Sequence, residues 1–211
     1  VSRTHDNPGD NLPVTGIVLA AGASRRLGQP KQLVELDGVT LLARTVRAIQ
    51  TCCDGGIICV LGAGAADIRP IAENLGVDIC LNADWREGLG ASIRAGVRCV
   101  SRTSQAMLLS VCDQPLVDAA DMARLVAAWR AEPQAIAAAG YDIGHHRVCG
   151  VPAIFPAAFR ADLMALHGDR GAKALIDQAP LRRIVGMPNA AFDIDDSIDL
   201  ARLRKIPVNR G

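Results

Sequence analysis

GIVLAAGASRRLGQPKQLVELDG, residues 16–38, leaves an apolar run at Gly22 and meets Arg25, Arg26, Gly28 and the Pro30-Lys31 pair. Apolar residues in unbroken succession predict a strand covered on both faces, as inside a parallel sheet. Gly22, Ala23 and Ser24 carry little side chain, so backbone N–H groups in this loop can approach an anion closely. Arg25, Arg26 and Lys31 bring three cations to the same place. These are the parts of a polyphosphate cradle. The spacing is not that of a Walker A loop, because five residues separate Gly22 from Gly28 and no Ser or Thr follows Lys31. The bland alternative is a turn before a solvated basic face. The loop's direct exit from a buried strand weighs against it.

Outward from this stretch the same rhythm repeats. Residues 15–21, 56–62, 77–82, 106–112 and 134–140 read as buried strands, and 39–50, 64–75, 90–102 and 118–130 carry apolar residues at helical spacing. Such alternation predicts an α/β chain with a doubly wound, mostly parallel sheet in three α/β/α layers. After 140 the rhythm loosens into an apolar stretch at 150–156, a helix over 157–166, a short strand near 183–187 and a closing helix from 197. No repeat, linker or low-complexity tract interrupts the chain, so 14–211 reads as one domain and VSRTHDNPGDNLP, 1–13, as a disordered tail. Sheets of this class bind ligands beyond the carboxyl ends of their strands. That selects the loop after Ala21, the residues after Cys112 and the glycines after Asn82.

Composition narrows the partners. The 211 residues are 50% hydrophobic but only 3% aromatic, so the core must be built from Ala, Val, Leu and Ile. A net charge of +1 lacks the basic excess of a nucleic-acid binder. No apolar run reaches the ~18 residues of a membrane span. The seven cysteines are an odd count without paired metal-ligand spacing, and most sit in apolar runs as small hydrophobes. A reduced, cytoplasmic setting is expected.

LAAGASRRLGQPKQL, 19–33, resembles the N-terminal motif of the nucleotidyltransferase superfamily, L-A-x-G-x-x-x-R-M-G-x-x-K, and specifically its molybdenum-cofactor, MobA-like branch. Leu27 stands where Met is common. The resemblance implies a Rossmann-like nucleotidyltransferase fold in which Leu19, Ala20, Ala21, Gly22, Ala23 and Ser24 bind nucleotide. In it the 20–24 backbone wraps the triphosphate, and Arg25 and Lys31 neutralise it. Arg26 is the alternative to Arg25, and the sequence leaves that choice open.

Asp113 lies at the end of a buried strand, where an unpaired carboxylate is costly and a metal partner is expected. In similar proteins this D-x-P aspartate holds Mg²⁺ against the phosphates; the alternative is a turn cap before Pro115. In related cytidylyltransferases the segment equivalent to 82–96 meets base and ribose, which selects Asn82, Gly90 and Ser92. Ser92 reads equally as first-turn chemistry. FDIDDSIDLARL, 192–203, resembles the family's D-I-D-T-P-E-D-L ending and gives Asp195 as second metal carboxylate, with Asp196 and Asp199 as a helix cap. LHGDRGAK, 166–173, matches the branch's G-D-x-G-A-R pattern, so Asp169 faces the acceptor substrate or caps a helix over 170–178. GHHRVCGVPAIF, 144–155, resembles the acceptor strand G-x-P-v-l-F, which brings in Pro152; Val151 replaces the usual histidine there.

Several features are discounted. GAGAAD, 62–67, lacks the third glycine of a dinucleotide fingerprint. His145 and His146 lack zinc spacing, and Cys52-Cys53 reads as helix-end packing.

The implied reaction is nucleotidyl transfer, in which an acceptor phosphate attacks the α-phosphorus of a nucleoside triphosphate and pyrophosphate leaves. A phosphate monoester, with a second pKa of about 6, is already ionised at neutral pH and needs no general base. Arg25, Lys31 and Asp113 are then the catalytic set, with Mg²⁺ on Asp113 and Asp195. Family members that use CTP tend to read L-A-A-G where GTP users read L-A-G-G, and this chain has Ala20-Ala21-Gly22. The acceptor so implied is molybdenum-molybdopterin, giving a cytosine dinucleotide for a xanthine dehydrogenase-type molybdoenzyme. The rivals are a guanylyltransferase, a sugar- or polyol-phosphate cytidylyltransferase and a non-catalytic cofactor chaperone.

Overall fold

A computed structural model describes residues 12–205, so residues 1–11 of the expected tail lie outside the described residues. Pro13, assigned to that tail, already belongs to the fold, because its carbonyl accepts from Gln105 N at 2.9 Å.

The chain runs β1 (Val14–Ala20), a small hairpin of β2 (Glu35–Leu36) and β3 (Val39–Thr40), α1 (Leu41–Gln50), β4 (Ile57–Leu61) and α2 (Ala65–Asn74). It continues through β5 (Asp78–Leu81), α3 (Leu89–Cys99), β6 (Ala106–Val111), α4 (Ala119–Ala131), β7 (Ile136–Ile143) and β8 (His146–Pro156). It closes with α5 (Arg160–Met164), α6 (Lys173–Gln178), β9 (Arg182–Gly186) and α7 (Ser197–Leu203). Seven strands form one sheet in the order β5-β4-β1-β6-β8-β7-β9. Only β8 runs against the rest, so the sheet is mostly parallel and the α/β expectation holds.

Every residue of β1 is buried. Neighbours along it face opposite layers: Val18 packs with Leu42, Val46 and Trp129, and Ile17 with Ile93, Leu109 and Phe155. Two covered faces explain why the strand shows no polar alternation. A third, smaller cluster of Val34, Leu36, Leu41, Ile194, Leu200 and Leu203 ties the hairpin to α7 and fixes the chain around Asp195. Local signals set the helix starts. Thr40 caps α1, and reciprocal Asp118/Asp121 and Asp196/Asp199 boxes open α4 and α7.

The largest departure from the sequence reading is at 134–156. There a hairpin turns at Gly144-His145, and β7 and β8 both run past the stretches expected at 134–140 and 150–156. The outer halves of these strands project beyond the covering helices, and residues 142–147 are exposed. Without burial there was no apolar pattern to read. The helix expected over 157–166 is a short 3-10 turn followed by α5, and the last strand and helix fall close to where they were expected.

All seven cysteines are free, and burial pushes the Cys59 and Cys80 thiols up to about 12. Among the described residues no helix is long and apolar enough to cross a membrane.

Candidate active site

From β1 the chain passes to β4 and β5 on one side of the sheet and returns to place β6 on the other. The carboxyl ends of β1 and β6 therefore flank a topological switch point, where open α/β sheets bind ligands. A cavity of about 460 Å³ opens there, bounded on one side by the loop after β1 and on the other by residues 85–92.

The loop is shaped by two side chains. Ser24 adopts a left-handed backbone (φ 50°), its carbonyl accepts from Leu27 N and Gly28 N, and its hydroxyl accepts from Lys31 N at 3.0 Å. Gln32, 2% exposed, donates from Nε2 to the carbonyls of Ala20 (2.7 Å) and Gly22 (3.1 Å). Its Oε1 has no partner among the described residues. With those carbonyls held, the N–H groups of residues 22–26 donate to no backbone carbonyl among the described residues. A run of free N–H groups at a bend is an anion nest.

Opposite the nest, Lys31 Nζ sits 2.9 Å from Asp113 Oδ2 and 3.4 Å from Asp195 Oδ1. Burial lowers the lysine's pKa, but Asp113 and then Asp195 outweigh it, and the net shift is upward. Asp193 is raised by burial and by the same two carboxylates. Arg26 NH2 lies 2.8 Å from Asp195 Oδ2 on the outside, while Arg25 lines the cavity. Of the two arginines between which the sequence left the choice open, Arg25 is on the cavity lining and Arg26 is not.

Asp113 and Asp195 converge on a single cationic nitrogen, so one small cation fits between them. A pair of carboxylate oxygens suits Mg²⁺ or Mn²⁺, which take one or two carboxylates and complete their shell with phosphates and water. No group of three or more His, Cys, Asp or Glu among the described residues could hold an ion without such help.

The far wall is the turn Trp85–Glu87 and the start of α3. Trp85 is seated against Gly62, where a Cβ would come within 2.6 Å of Trp85 Cβ and 2.8 Å of Ala21 Cβ. Arg94, buried within α3, grips Glu87 with both terminal nitrogens (3.0 and 2.6 Å) and also donates to the carbonyl of Leu166. Arg94 thus joins the 85–88 turn to the 166–169 loop, and holds the Glu87 carboxyl down to about 2. Gly88 (φ 121°) abuts Asp169 and Gly168, and Gly90 N donates to Gly168 O at 2.9 Å.

Of the residues selected from sequence, Leu19, Ala21–Arg25, Lys31, Ser92, Asp113 and Asp169 line this cavity. Ala20 faces the core and supports the loop through Gln32. Asn82 is buried and donates to Ser92 Oγ at 3.1 Å, so it orients Ser92 rather than lining the space. Gly90 packs against the 166–168 backbone, and Pro152 is buried in β8 away from the lining. The helix after Asp169 begins only at Lys173 with no side-chain cap, which removes the capping alternative for Asp169. Sequence reading missed Gln32, Trp85 and Arg86, all on the lining. A tryptophan beside an arginine just before Gly88, in a chain with two tryptophans, was the available signal.

A family model described as a MobA-like NTP transferase domain matches residues 16–184. The chain is 35% identical over 179 residues to nicotine blue oxidoreductase of Paenarthrobacter nicotinovorans, covering 81% of this chain and 85% of that one. It is 34% identical over 154 residues to the molybdenum cofactor guanylyltransferase of Rhodobacter capsulatus, covering 72% and 77%. Among solved structures, Rv0371c of Mycobacterium tuberculosis H37Rv superposes with a TM-score of 0.79 at 29% identity, covering 92% of this chain and 99% of that one. That protein has also been solved in complex with manganese (TM-score 0.73, 29% identity, 92% and 98% covered).

Proposed function

The chain belongs to the MobA-like NTP transferase domain family, and from that premise we propose that it transfers CMP from CTP to the phosphate of molybdenum-molybdopterin. The observation that carries this reading is the run of free N–H groups at 22–26, facing the Lys31–Asp113 pair across the switch point. An anion nest opposite a cation and carboxylates matches the needs of a triphosphate and its counter-ion. In this reading the nest takes the outer phosphates, and Arg25 with Lys31 offsets the charge that grows on departing pyrophosphate. Asp113 and Asp195 would hold a divalent cation, Mg²⁺ in the cell, which supplies electrostatic stabilisation at the α-phosphate. Because Asn82 donates to Ser92 Oγ, the Ser92 O–H remains a donor for a base carbonyl or ribose oxygen. The ionised acceptor phosphate attacks in line, needing position rather than a base. Asp169, facing the same space, is assigned to the acceptor, whereas the burial of Pro152 supports only an indirect part for it.

Ala21 is among the lining residues, and in this reading its methyl trims the room beside the base, which favours a pyrimidine. The product would pass to a xanthine dehydrogenase-type molybdoenzyme in the cytoplasm. Similarity to a guanylyltransferase makes GTP the direct competitor, so the deciding experiment is Mg²⁺-dependent transfer from labelled CTP and labelled GTP to molybdenum-molybdopterin. Incorporation from CTP is expected, and preference for GTP removes the base assignment.

A second reading, an oxidoreductase activity, is favoured by the 35% identity to nicotine blue oxidoreductase. Oxidation of a reduced nicotinamide dinucleotide by a heteroaromatic dye, without pyrophosphate release from any triphosphate, would establish it instead.

A further inference from the structure

Among the described residues three cations line the cavity, Arg25, Lys31 and Arg86, and they differ in what already holds them. Lys31 is engaged by two carboxylates. Arg25 and Arg86 have no carboxylate within salt-bridge distance among the described residues. The charge free to meet an anionic substrate is therefore on the two arginines.

Arg86 is also held in place. Its guanidinium carbon lies 4.4 Å from the centroid of the Trp85 ring. A guanidinium resting on an aromatic face loses rotamer freedom but keeps its in-plane N–H donors, the fork that matches phosphate oxygens. Trp85 is in turn fixed by Gly62, which admits it beside Ala21 at the entry of the phosphate loop. Arg86 thus stands on the wall across the cavity from the loop after β1, and Arg25 belongs to that loop.

We propose that Arg86, laid on Trp85, is a further phosphate-binding residue of this site, gripping a phosphoryl group that the nest and Arg25 do not fully neutralise. The proposal rests on the nucleotidyl-transfer reading. Two substrates carry this chemistry there, the triphosphate of the nucleotide and the phosphate monoester of the acceptor.

The experiment compares wild type with Arg86→Gln, Arg86→Lys and Trp85→Leu, and with Arg98→Gln as an exposed control on α3 away from the lining. Steady-state transfer gives KM and kcat for each substrate. For the proteins that keep Trp85, pyrophosphate and CTP are also titrated against tryptophan fluorescence, in which Trp85 is the responsive reporter because Trp129 is 1% exposed in the core. Arg86→Gln is expected to raise one KM by about tenfold with kcat changed much less, as the loss of a charge-assisted fork should. Arg86→Lys should recover part of that loss, and Trp85→Leu should reproduce part of it with Arg86 intact. A rise in the CTP KM together with weaker pyrophosphate binding assigns Arg86 to the triphosphate. A rise confined to the acceptor KM, with pyrophosphate binding unchanged, assigns it to the monoester. The proposal is overturned if Arg86→Gln matches Arg98→Gln in both constants and in pyrophosphate affinity. Should wild type release no pyrophosphate from any triphosphate, the transfer reading fails separately. The pyrophosphate titration then decides Arg86 alone: weaker binding by Arg86→Gln keeps the anion site, and unchanged or absent binding removes it.

Discussion

The two walls of the cavity are built on opposite principles. On the β1–β6 side, charges are satisfied by one another: Lys31 by Asp113 and Asp195, and Asp195 again by Arg26, through side chains that are partly open to water. On the α3 side, a buried arginine and glycine contacts lock two loops together, and Arg94 reaches Glu87 and the Leu166 carbonyl at once. Partners of the first kind can be exchanged when a substrate brings its own charges, because incoming phosphates and a cation offer the lysine and the carboxylates the same charge-assisted bonds they give up. Partners of the second kind cannot, since a buried charge left without its bonds is costly. Under the proposed transfer, one wall rearranges around phosphates and the other stays where it is.

This contrast breaks most visibly at Asp113. Asp113→Asn is expected to cut transfer by about 10³-fold while moving Tm by no more than about 2 °C, because its role is electrostatic rather than structural. Pyrophosphate release and a thermal melt measure the two; a large fall in Tm would place Asp113 with the rigid wall. Lys31→Met is the next largest. It should lower transfer by about 10²-fold and, in nucleotide-free protein, raise Mn²⁺ affinity by about tenfold, since the ammonium occupies both carboxylates. Mn²⁺ titration followed by electron paramagnetic resonance reads this directly, and unchanged affinity would mean that the lysine does not stand in the cation's place. Arg26→Ala, which removes the outer partner of Asp195, should change Mn²⁺ affinity far less.

The exchangeable wall was also the wall legible in the sequence. Gly22, Ser24, Lys31 and Asp113 follow strands whose burial wrote a plain apolar pattern, and loops after such strands are where ligands sit. The rigid wall was only half legible. Gly88, Gly90 and Ser92 could be picked out, but no motif marks Arg94 or Glu87. Their meaning depends on the Leu166 carbonyl, 72 residues away, which no local pattern announces. Gln32 escaped for a similar reason: a glutamine after a lysine carries no signal until its amide is seen holding Ala20 and Gly22. Asp195 was found through its motif, although its partnership with Arg26 spans 169 positions.

On the α3 side the expected effects are on stability first and turnover second. Arg94→Met removes the clamp and should lower Tm by about 5 °C, raising the acceptor KM as the loop bearing Asp169 loosens. An unchanged Tm would show that glycine packing alone holds the wall.

The smallest effect gives the sharpest test of whether the clamp is ionic. Arg94, chiefly through its hydrogen bonds and then helped by Gly168 N–H, holds the Glu87 carboxyl at about 2, below the usual carboxylate range. A folded-state value below the unfolded one means the stabilisation is complete above the unfolded value and disappears as pH falls through the folded value. Wild type should therefore lose stability relative to Glu87→Gln between about pH 5 and about pH 2, because the glutamine amide does not titrate. Urea midpoints for the two proteins, taken at intervals across that window, should draw steadily together as acid is added. If the gap stays constant, Glu87 is not held as an anion by Arg94. The second wall would then owe its rigidity to the approach of Gly88 and Gly90 to the 166–168 backbone, and both walls would differ in packing rather than in how their charges are kept.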